Sequence, residues 1–518
     1  MIYSLGAVNK LHPENFIKDS YIQTYDDYHP IFSELLYYSM LIFSEKVAPF
    51  IIFIFSKFLI FFGIILVAKR FIKDNTLYLF VLIFLFPFIY FGLANSSFGY
   101  NFPFPVPRTI GWGLFFIGFH FFLSKKYFVT SIFWGFAAFV HAQFIFLTFP
   151  LLILATIFFN PFKRLNYKNI YPIVAILLIS LPQLILIQKN MPFQSTMSEK
   201  DYYFFFVEKL FYPNFNPKFF LTMRGDIFVF LCLPIFVYWK KIQAYGEAAK
   251  IWLMSMIFIF AGTLVCIFFT EVVFIKIIML MWYPGFTPFI TLSSIIFLIA
   301  VASDEWAMKK KNYFFIVLDV ACIYMYIFSP YIGIIFFLAK NLFYHVSNFR
   351  MNKILWNGIA LVIMFAAVPW GAGYQTHYYI KPWSGINFSM PEIVYYIKNY
   401  TKKDSLFLVP PVVWFMQPYA QRSTVADYSH PGLNNYAPEW KKRMDDIVGI
   451  DIFQKEKKDL NYLYAVRTLE DIIKLIEKYN ANYYMTFNYE NIKKKFENAK
   501  NFKLVHWDNE FLIYNITN

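Results

Sequence analysis

Residues 47–68 read VAPFIIFIFSKFLIFFGIILVA, a stretch whose only charged residue is Lys57. A helix of this length rises about 33 Å, which is enough to cross the ~30 Å hydrocarbon core of a bilayer. The stretch is apolar on every face, which is typical of a helix that is surrounded by lipid or buried completely. It therefore predicts a membrane-spanning helix.

The composition of the whole chain agrees with this interpretation. Hydrophobic residues make up 59% of the sequence, aromatic residues 23% and charged residues only 15%, against about 25% charged in soluble domains. The net charge of +15 does not indicate nucleic acid, because the Lys and Arg residues lie in short clusters between apolar runs, as in membrane proteins. The three cysteines, Cys232, Cys266 and Cys322, lie within apolar spans and predict neither a disulfide framework nor a metal site.

The hydropathy pattern predicts a polytopic α-helical membrane protein with about twelve membrane helices or half-helices. Several spans are short, and pairs of short helices that meet at a polar point are typical of half-membrane hairpins. His141 and Gln143 lie at one such tip. The spans are residues 47–68, 76–95, 109–124, 128–141, 143–158, 170–187, 226–239, 251–270, 285–302, 313–328, 331–343 and 354–371.

Alternate connections between the spans are basic, and the positive-inside rule places them in the cytoplasm. Three regions follow from this orientation: an external N-terminal loop segment (1–46), a transmembrane helical domain (47–371) and an external, periplasmic α/β domain (372–518). The first segment is external although no hydrophobic span precedes it. Either it crosses unaided or a further helix precedes it, and we favour the second interpretation.

The last region alternates between strand and helix patterns, which indicates a small α/β domain of three layers. It has no glycine-rich phosphate loop, so nucleotide binding has no support. The predicted helices are residues 390–400, 436–448 and 469–479. The predicted strands are residues 405–409, 424–427, 482–487, 502–505 and 511–514.

Acidic residues gather in the first external segment. Asp19, Asp26, Asp27 and His29 all precede the first long apolar run. A carboxylate close to the membrane surface is partly desolvated, which raises its basicity and suits a general base. The alternative is a solvated loop with ordinary acidic residues.

Basic residues at the external ends of spans are candidates for binding a phosphate. Arg108 ends the loop NFPFPVPR and Arg224 precedes the span at 226. A guanidinium can hold a phosphate with two hydrogen bonds, but it can equally reach to a lipid headgroup. His141 is flanked by apolar residues, and a polar residue at membrane depth indicates function. Its alternative role is to cap a helix end.

The layout resembles the GT-C superfamily of membrane glycosyltransferases. The resemblance rests on the motif P-x-x-F-x-x-D (Pro13, Phe16, Asp19), on Arg108 and His141, and on the C-terminal α/β domain. That domain is similar to one in an uncharacterised bacterial branch of the fold. The shared phrases are KDSLFLVPP at 403–411, RSTVAD at 422–427 and the pair Trp440 and Arg443.

The resemblance implies that an external carboxylate, Asp19, acts as the catalytic base or binds a divalent metal, which is the one candidate cofactor. It implies that a polyprenyl-phosphate sugar enters from the membrane and that Arg108 or Arg224 holds its phosphate. The segment 271–284 has no arginine where the family has one, and Lys276 is the cation present there. The expected partners are membrane lipids, the lipid-linked sugar and a glycan or lipid acceptor, in a bacterial inner membrane.

Two functions remain open from the sequence. The first is transfer of a sugar from a polyprenyl-phosphate donor to an envelope glycan, lipid or protein. The second is a non-catalytic role, as a flippase-like transporter or an accessory factor in envelope biogenesis. A transporter typically shows repeated halves with matched broken helices, and this sequence shows none. Its polar residues gather on one face, which favours the enzyme.

Trp440 and Arg443 lie three residues apart on one predicted helix; they either bind a sugar or anchor the domain core.

Overall fold

The computed structural model describes residues 5–23, 30–45, 47–72, 106–159, 167–189, 244–271, 286, 288–308, 322, 392–413, 415–428, 436–454 and 457–517. The chain divides into two compact units. Unit 1 combines Met1–Pro49, Ile185–Lys209 and Gly385–Asn518, and unit 2 combines Phe50–Leu184 and Leu210–Ser384. The two ends of the sequence therefore fold together in unit 1.

Helices make up most of the described residues. In chain order they are α1 (Leu5–Leu11), α2 (Ser20–Gln23), α3 (Pro30–Phe43), α4 (Val47–Ala68), α5 (Pro107–Leu123), α6 (Tyr127–Val140), α7 (Gln143–Phe158), α8 (Tyr167–Lys189), α9 (Glu247–Glu271), α10 (Pro288–Met308), α11 (Glu392–Tyr400), α12 (Tyr436–Val448), α13 (Lys457–Ala465), α14 (Leu469–Tyr479) and α15 (Glu490–Phe496). The strands are β1 (Leu406–Leu408), β2 (Ser423–Thr424), β3 (Tyr483–Phe487), β4 (Phe502–Trp507) and β5 (Phe511–Ile516).

The five strands form one mixed sheet in unit 1, in the order β2-β1-β3-β5-β4. β1 pairs in parallel with both β2 and β3, and Phe407 lies opposite Thr424 on one side and Tyr483 on the other. β5 runs antiparallel to β3 and β4. All five predicted strands are present, with ends that differ by a few residues from the predicted bounds.

Apolar side chains cover both faces of this sheet. On one face α11 contributes Ile393 and Ile397 to a core that includes Phe407, Met485 and Ile513. On the other face an aromatic cluster joins the helices to the strands; its members are Tyr464, Tyr484, Phe496, Phe502 and Tyr514. Two covered faces explain why β1 and the centre of β3 are buried.

Helix α14 shows how local sequence determines an element of this domain. Its sequence LEDIIKLIEKY places Ile472, Leu475 and Ile476 on one buried side. The Thr468 side chain accepts the backbone N–H of Asp471 at the start of the helix, at 3.1 Å. Asn480 ends it in a left-handed conformation with φ of 53°, which asparagine tolerates well. The predicted bounds of this helix, 469–479, are confirmed.

Unit 2 is built from apolar helices that pack closely through glycine. Gly118 in α5 lies against Trp134 in α6, where an added Cβ would come within 2.4 Å of the indole. The Trp134 Nε1–H is satisfied by the backbone carbonyl of Phe115 at 3.1 Å. Gly113 likewise faces Leu59 of α4, at 2.5 Å from an added Cβ. Large aromatic side chains fill the space between these helices, and tight packing of this kind fixes their relative positions.

Two described helices are long and apolar enough to cross a membrane: Val47–Ala68, with mean hydropathy 2.8, and Glu247–Phe269, with mean hydropathy 2.4. Helices also occur at the predicted spans 109–124, 128–141, 143–158, 170–187 and 285–302. The predicted spans 76–95, 226–239, 313–328, 331–343 and 354–371 lie outside the described residues, except for Cys322.

The first segment differs from the predicted loop. It contains α1, α2 and the longer helix α3, and α1 packs against α3. Short helices of seven and four residues give no readable periodicity, because a helical pattern needs about three turns to emerge. Residues 5–23, which we call the N-terminal strap, are therefore a folded part of unit 1.

Candidate functional site

Arg108 lies in the first turn of α5 in unit 2. Val106 is extended and precedes the helix, and Pro107 occupies the first helical position, where its missing N–H costs nothing. The Thr109 hydroxyl donates to the Val106 carbonyl at 2.7 Å and fixes this turn. The local sequence therefore holds the Arg108 side chain in one place, and the residue is only 5% exposed.

The Arg108 guanidinium donates a hydrogen bond to Oε1 of Gln143, the first residue of α7. His141 lies just before that helix and occupies the end of α6, where its backbone N–H still bonds to Ala137. It is 4% exposed. Arg108 and Gln143 thus lie at the starts of α5 and α7, and His141 lies at the end of α6, where it is the C-cap residue.

Aromatic side chains form the wall beside these polar groups. Phe144 makes edge-to-face contacts with His141, at 5.9 Å, and with Trp112, at 5.3 Å. Gly111 permits this arrangement, since a Cβ there would lie 2.4 Å from the Phe144 ring. The Arg108 site is therefore a cation and two polar side chains set against an apolar surface.

This arrangement favours an anion. The guanidinium carries a permanent positive charge, and α5 and α7 both begin beside it, where the helix dipole adds partial positive charge. A guanidinium carries five N–H donors in a planar fork, which matches the oxygens of a phosphate. In an apolar setting each of these hydrogen bonds is stronger than it is in water.

Asp19 lies in unit 1, with a fully buried carboxylate at 0% exposure. One oxygen accepts the N–H of Ile22 at 3.0 Å and so caps α2. The other accepts the N–H of Thr424 in β2 at 3.1 Å and lies 3.4 Å from Nε2 of Gln417. The motif P-x-x-F-x-x-D is then explained locally: Pro13 begins a turn, Phe16 is buried and Asp19 fastens the strap to the sheet.

A second buried carboxylate belongs to the same network. Asp427 is 1% exposed and accepts a hydrogen bond from Gln417 Nε2 at 2.9 Å. The Thr424 hydroxyl also accepts from that amide, at 2.7 Å. Burial raises the pKa of the Tyr436 hydroxyl, and the nearby Asp19 and Asp427 carboxylates raise it further. Amide, hydroxyl and backbone donors together compensate the burial of both charges.

Further contacts tie the N-terminal strap to the domain formed by the end of the chain. Ser20 donates to the Tyr436 hydroxyl at 3.2 Å, and Ser423 donates to the Asn15 carbonyl at 3.2 Å. Exposed ion pairs at the rim add little individually; they are Glu14 with Lys403 and Lys18 with Asp404. Residues that hydrogen-bond to each other lie on one side of any membrane that the chain crosses, and which side that is stays a prediction.

Trp440 and Arg443 serve the interior of the same domain. Trp440 is 1% exposed, and its Nε1–H donates to the Asp427 carbonyl at 2.7 Å. Arg443 forms an ion pair with Glu439 and also donates to the Val425 carbonyl at 3.2 Å. These contacts are those of a structural anchor and favour that alternative over a sugar platform.

Five of the candidate residues lie outside the described part of the chain: Asp26, Asp27, His29, Arg224 and Lys276. The roles that the sequence suggests for them stay predictions. Within the described residues, no three His, Cys, Asp or Glu side chains come together as metal ligands. The role of Asp19 as a base also stays a prediction, and its buried contacts give that role no support.

The sequence alone does not predict the hydrogen-bond partners of Arg108 and Asp19. Gln417, Thr424 and Gln143 each bond to a candidate residue, and Gln417 and Thr424 do not stand out by type or spacing. Gln143 had a signal, since it is a polar residue beside His141 in an apolar hairpin. Gln417 had none, because its neighbour Asp19 is 398 residues away in sequence.

Comparison with known proteins gives a limited result. A family model described as a domain of unknown function (DUF6798) matches residues 389–447, a stretch that includes Gln417, Thr424 and Asp427. No curated protein matches the chain. Two solved structures are similar, both of ArnT from Cupriavidus metallidurans at 12% sequence identity.

The match to the apo structure of ArnT includes 94% of this chain and 87% of the ArnT chain, with a TM-score of 0.41. The match to the ArnT structure bound to undecaprenyl phosphate includes 94% of this chain and 88% of the ArnT chain, with a TM-score of 0.44. At this level of similarity neither structure carries an argument about this chain.

Proposed function

We propose that this chain is a membrane transferase that moves a sugar from a polyprenyl-phosphate donor to an envelope glycan, lipid or protein. The observation that carries the proposal is the buried Arg108 guanidinium, bonded to Gln143 at the starts of two apolar helices. A phosphate on a lipid chain has the matching chemistry: a negative head for the Arg108 site and an apolar tail for its surroundings.

The apolar helices support a position in the membrane. Val47–Ala68 and Glu247–Phe269 each suffice in length to cross a bilayer, and exposed apolar side chains such as Phe58 and Phe268 lie on their surfaces. Large exposed apolar surface in water would promote aggregation, whereas lipid covers it without cost. The basic connections favour an inner-membrane protein whose C-terminal domain lies on the external side.

The proposed reaction needs a base and an anion site. A carboxylate removes the proton of the acceptor hydroxyl, whose oxygen forms a bond to the anomeric carbon. The bond from that carbon to the phosphate oxygen breaks, and polyprenyl phosphate leaves with the electron pair. Arg108 stabilises the charge that develops on the leaving phosphate, and inversion at the anomeric carbon follows from attack on the opposite face.

The base in this proposal is Asp26 or Asp27. Asp19 already accepts hydrogen bonds from three N–H donors. A bulky acceptor cannot reach a carboxylate with 0% exposure. His29, Arg224 and Lys276 remain proposed contacts for the donor or the acceptor.

Lipid binding tests the Arg108 site. The full-length protein in nanodiscs would be titrated with undecaprenyl phosphate, comparing Arg108→Gln with Lys126→Gln as a matched control. Lys126 also precedes a helix but is exposed at the opposite end of the α5–α6 pair. A charged hydrogen bond is worth roughly 1.5–3 kcal/mol, so we expect Arg108→Gln to weaken binding by about tenfold or more.

A folded Arg108→Gln protein that binds as tightly as the wild type would refute the Arg108 site. Thermal unfolding checks that the variant is folded, and Arg108→Lys, which keeps the charge, should bind with intermediate affinity.

Sugar transfer is tested in cells whose own copy of the gene is deleted and which express the Asp26→Asn or the Asp27→Asn protein. Mass spectrometry of the surface glycan is the measurement. Lipid binding without any change in the glycan would favour the non-catalytic transport or assembly role.

A further inference from the structure

Helix α11 of the C-terminal domain has two sides that differ in residue type. Its inner side carries Ile393, Val394 and Ile397, each at most 1% exposed, and this side belongs to the core of the domain. Its outer side carries Tyr395 and Tyr400, which are 59% and 66% exposed. A water-facing helix normally carries charged or polar residues on its outer side. Two large exposed rings on one short helix therefore indicate a surface that contacts something other than water.

The exposed rings are supported by further rings. Tyr396 stacks on Tyr400, with ring centroids 5.5 Å apart, and on His506 of β4, with centroids 4.2 Å apart. Tyr395 meets Tyr400 in an edge-to-face contact at 6.1 Å. Because these contacts orient the rings before any ligand arrives, little side-chain freedom is left to lose on binding.

Two lysines flank the second of these tyrosines in sequence. Lys398 lies in the last turn of α11 and Lys402 just beyond its end, and both are exposed. We call Tyr395, Lys398, Tyr400 and Lys402 the tyrosine patch. Tyrosine combines an apolar ring with a polar hydroxyl, and lysine carries its charge on a long apolar stem. These residue types concentrate where a protein meets lipid headgroups.

Short links within unit 1 join the end of α11 to the segment that precedes the first apolar span. The Arg422 guanidinium donates to the carbonyls of Lys398 and Thr401, at 2.7 and 2.9 Å. Its neighbour Gln421 donates to the Glu45 carboxylate at 3.1 Å. The positive charge of Lys398 also acts on that carboxylate. The end of α11 and Glu45 are therefore close together.

Glu45 lies two residues before Val47, where the apolar helix α4 begins. Two chain steps reach at most about 7 Å, so Glu45 lies close to the start of α4. In the proposed function α4 crosses the membrane, which puts its start at the membrane surface. The end of α11, held next to Glu45, then lies near that surface too.

We propose that the tyrosine patch binds the headgroups of anionic phospholipids on the external membrane surface. The rings of Tyr395 and Tyr400 enter the boundary between headgroups and acyl chains, and Lys398 and Lys402 pair with lipid phosphates. A glycan is the alternative occupant of exposed tyrosine rings, but the nearness of Glu45 to α4 favours lipid. This surface contact goes beyond the proposed function and rests on its membrane placement.

The contact gives the C-terminal domain a second attachment to the membrane. The chain at Glu45 is the first, and a domain held at one point can swing about it. A second attachment at Tyr400 stops that motion and keeps the domain at a fixed height. The phosphate of a polyprenyl lipid lies at headgroup depth, so the domain stays at the level of the donor phosphate.

Quenching by spin-labelled lipids tests the tyrosine patch. Tyr400→Cys, Phe58→Cys and Tyr462→Cys would each carry an NBD fluorophore, in a full-length protein whose three native cysteines are replaced by alanine. Phe58, 61% exposed in α4, reports the membrane interior, and Tyr462, 69% exposed in α13, reports another surface of the same domain. The vesicles are phosphatidylethanolamine and phosphatidylglycerol, with a nitroxide lipid labelled either at the headgroup or at acyl position 12.

We expect the headgroup nitroxide to quench the label at position 400 at least about twofold and to leave the label at position 462 unchanged. The acyl nitroxide should quench the label at position 58. Quenching at 58 without quenching at 400 would overturn the tyrosine patch and leave the membrane placement intact. Absence of quenching at 58 would overturn the membrane placement as well. Equal quenching at 400 and 462 would also overturn the patch, since the whole domain would then lie near lipid.

Lipid charge is tested with the same label at position 400. Quenching should fall by about half or more in vesicles of phosphatidylcholine alone, and likewise when Lys402→Glu is added in the anionic vesicles. Lys503→Glu is the matched control, because Lys503 is an exposed lysine on β4 of the same domain. Equal quenching in anionic and zwitterionic vesicles would overturn the proposed preference for anionic headgroups.

A second measurement covers the case in which the cysteine-free protein does not fold. A photoreactive benzophenone amino acid in place of Tyr395, in the chain with its native cysteines, should crosslink to phospholipid on illumination. Crosslinking only to protein or to a glycan would overturn the tyrosine patch. The matched control is the same amino acid in place of Tyr462, where no lipid adduct is expected.

Discussion

The carboxylate of Asp19 accepts the backbone N–H of Thr424 at 3.1 Å, across 405 residues of sequence. One residue thereby joins the N-terminal strap to strand β2, and Gln417 links it onward to Asp427. The most prominent acidic residue of the sequence motif is thus part of a junction between the two ends of the chain.

Asp19→Asn should lower the free energy of unfolding by about 2–4 kcal/mol. The asparagine amide nitrogen cannot accept a hydrogen bond, so at least one of the N–H groups of Ile22, Thr424 and Gln417 loses its acceptor, at a cost of about 1–3 kcal/mol each. Thermal unfolding of the full-length protein in detergent measures the effect.

Asp404→Asn is the matched control for this change. Asp404 has a side chain that is 54% exposed and lies 3.8 Å from Lys18, and such surface pairs contribute about 0–1 kcal/mol. If Asp19→Asn unfolds at the wild-type temperature but abolishes sugar transfer, Asp19 is the catalytic base and the anchoring role is wrong.

Trp440→Ala should destabilise unit 1 by about 3–5 kcal/mol, since it removes a buried aromatic side chain. It also removes the donor to the Asp427 carbonyl. Protein level in the membrane and the unfolding temperature are the measurements. Trp507→Ala serves as a control, because Trp507 is 60% exposed in the same domain. A stable Trp440→Ala protein that no longer binds glycan would instead support the sugar platform.

Asp446 should make the stability of unit 1 sensitive to acid. Burial raises the pKa of its carboxyl group, but hydrogen bonds from Lys478 and Tyr479 outweigh burial and leave the pKa below its ordinary value. A lowered folded-state pKa means that the carboxylate stabilises the fold above the unfolded-state pKa of about 4. This contribution is lost as the pH falls through the folded-state pKa.

We therefore expect Asp446→Asn to unfold at a lower temperature near pH 7 and to lose less stability than the wild type below about pH 4. Unfolding temperatures across that pH range measure both effects. Glu497→Gln, an exposed change in the same domain, should leave the profile unaltered. If the unfolding temperatures of the wild type and Asp446→Asn fall equally as the pH is lowered below about 4, Asp446 is not the source of the acid sensitivity.

Gly111→Ala should disturb the Arg108 site through packing. The added methyl group would meet the Phe144 ring at 2.4 Å and displace the residue that follows Gln143. Overpacking of this kind costs about 1–3 kcal/mol, and we expect weaker binding of undecaprenyl phosphate as well as lower stability. A titration and an unfolding curve give the two quantities.

Gly113→Ala separates the two effects. Its methyl group would meet Leu59 of α4 at 2.5 Å, on a different face of the same helix. It should lower stability to a similar degree with little change in lipid binding. Equal losses of binding in both variants would show that the effect is general unfolding of unit 2.

The sequence predicts those elements whose pattern is local. Helices α12 and α14 have the predicted bounds because their apolar spacing, the Thr468 cap and Asn480 all act within a few residues. The apolar helices were equally clear from composition. Helix α3 was missed because its two apolar sides cancel the amphipathic signal, and 14 residues are too few for a membrane span.

Contacts between distant residues were beyond sequence reasoning. Arg108 and Gln143 each attracted attention separately, but only the packing of α5, α6 and α7 brings them together. The sequence suggests a catalytic role for Asp19, which stays a prediction, and it gives no sign of the partners Gln417 and Thr424. A single sequence shows which residue types are present, but it does not show which residues pair across hundreds of positions, because that depends on the fold.

The joining of strap and sheet also orders events during synthesis. The strap leaves the ribosome early, while Thr424 is added 405 residues after Asp19, which takes roughly 20–80 s at the usual 5–20 residues per second. Through that interval the strap lacks its partners in the C-terminal domain, such as Thr424 for Asp19, while unit 2 is synthesised. Unit 1 therefore matures last, and a chain that stops short of residue 417 would keep its earliest segment open to chaperones and proteases.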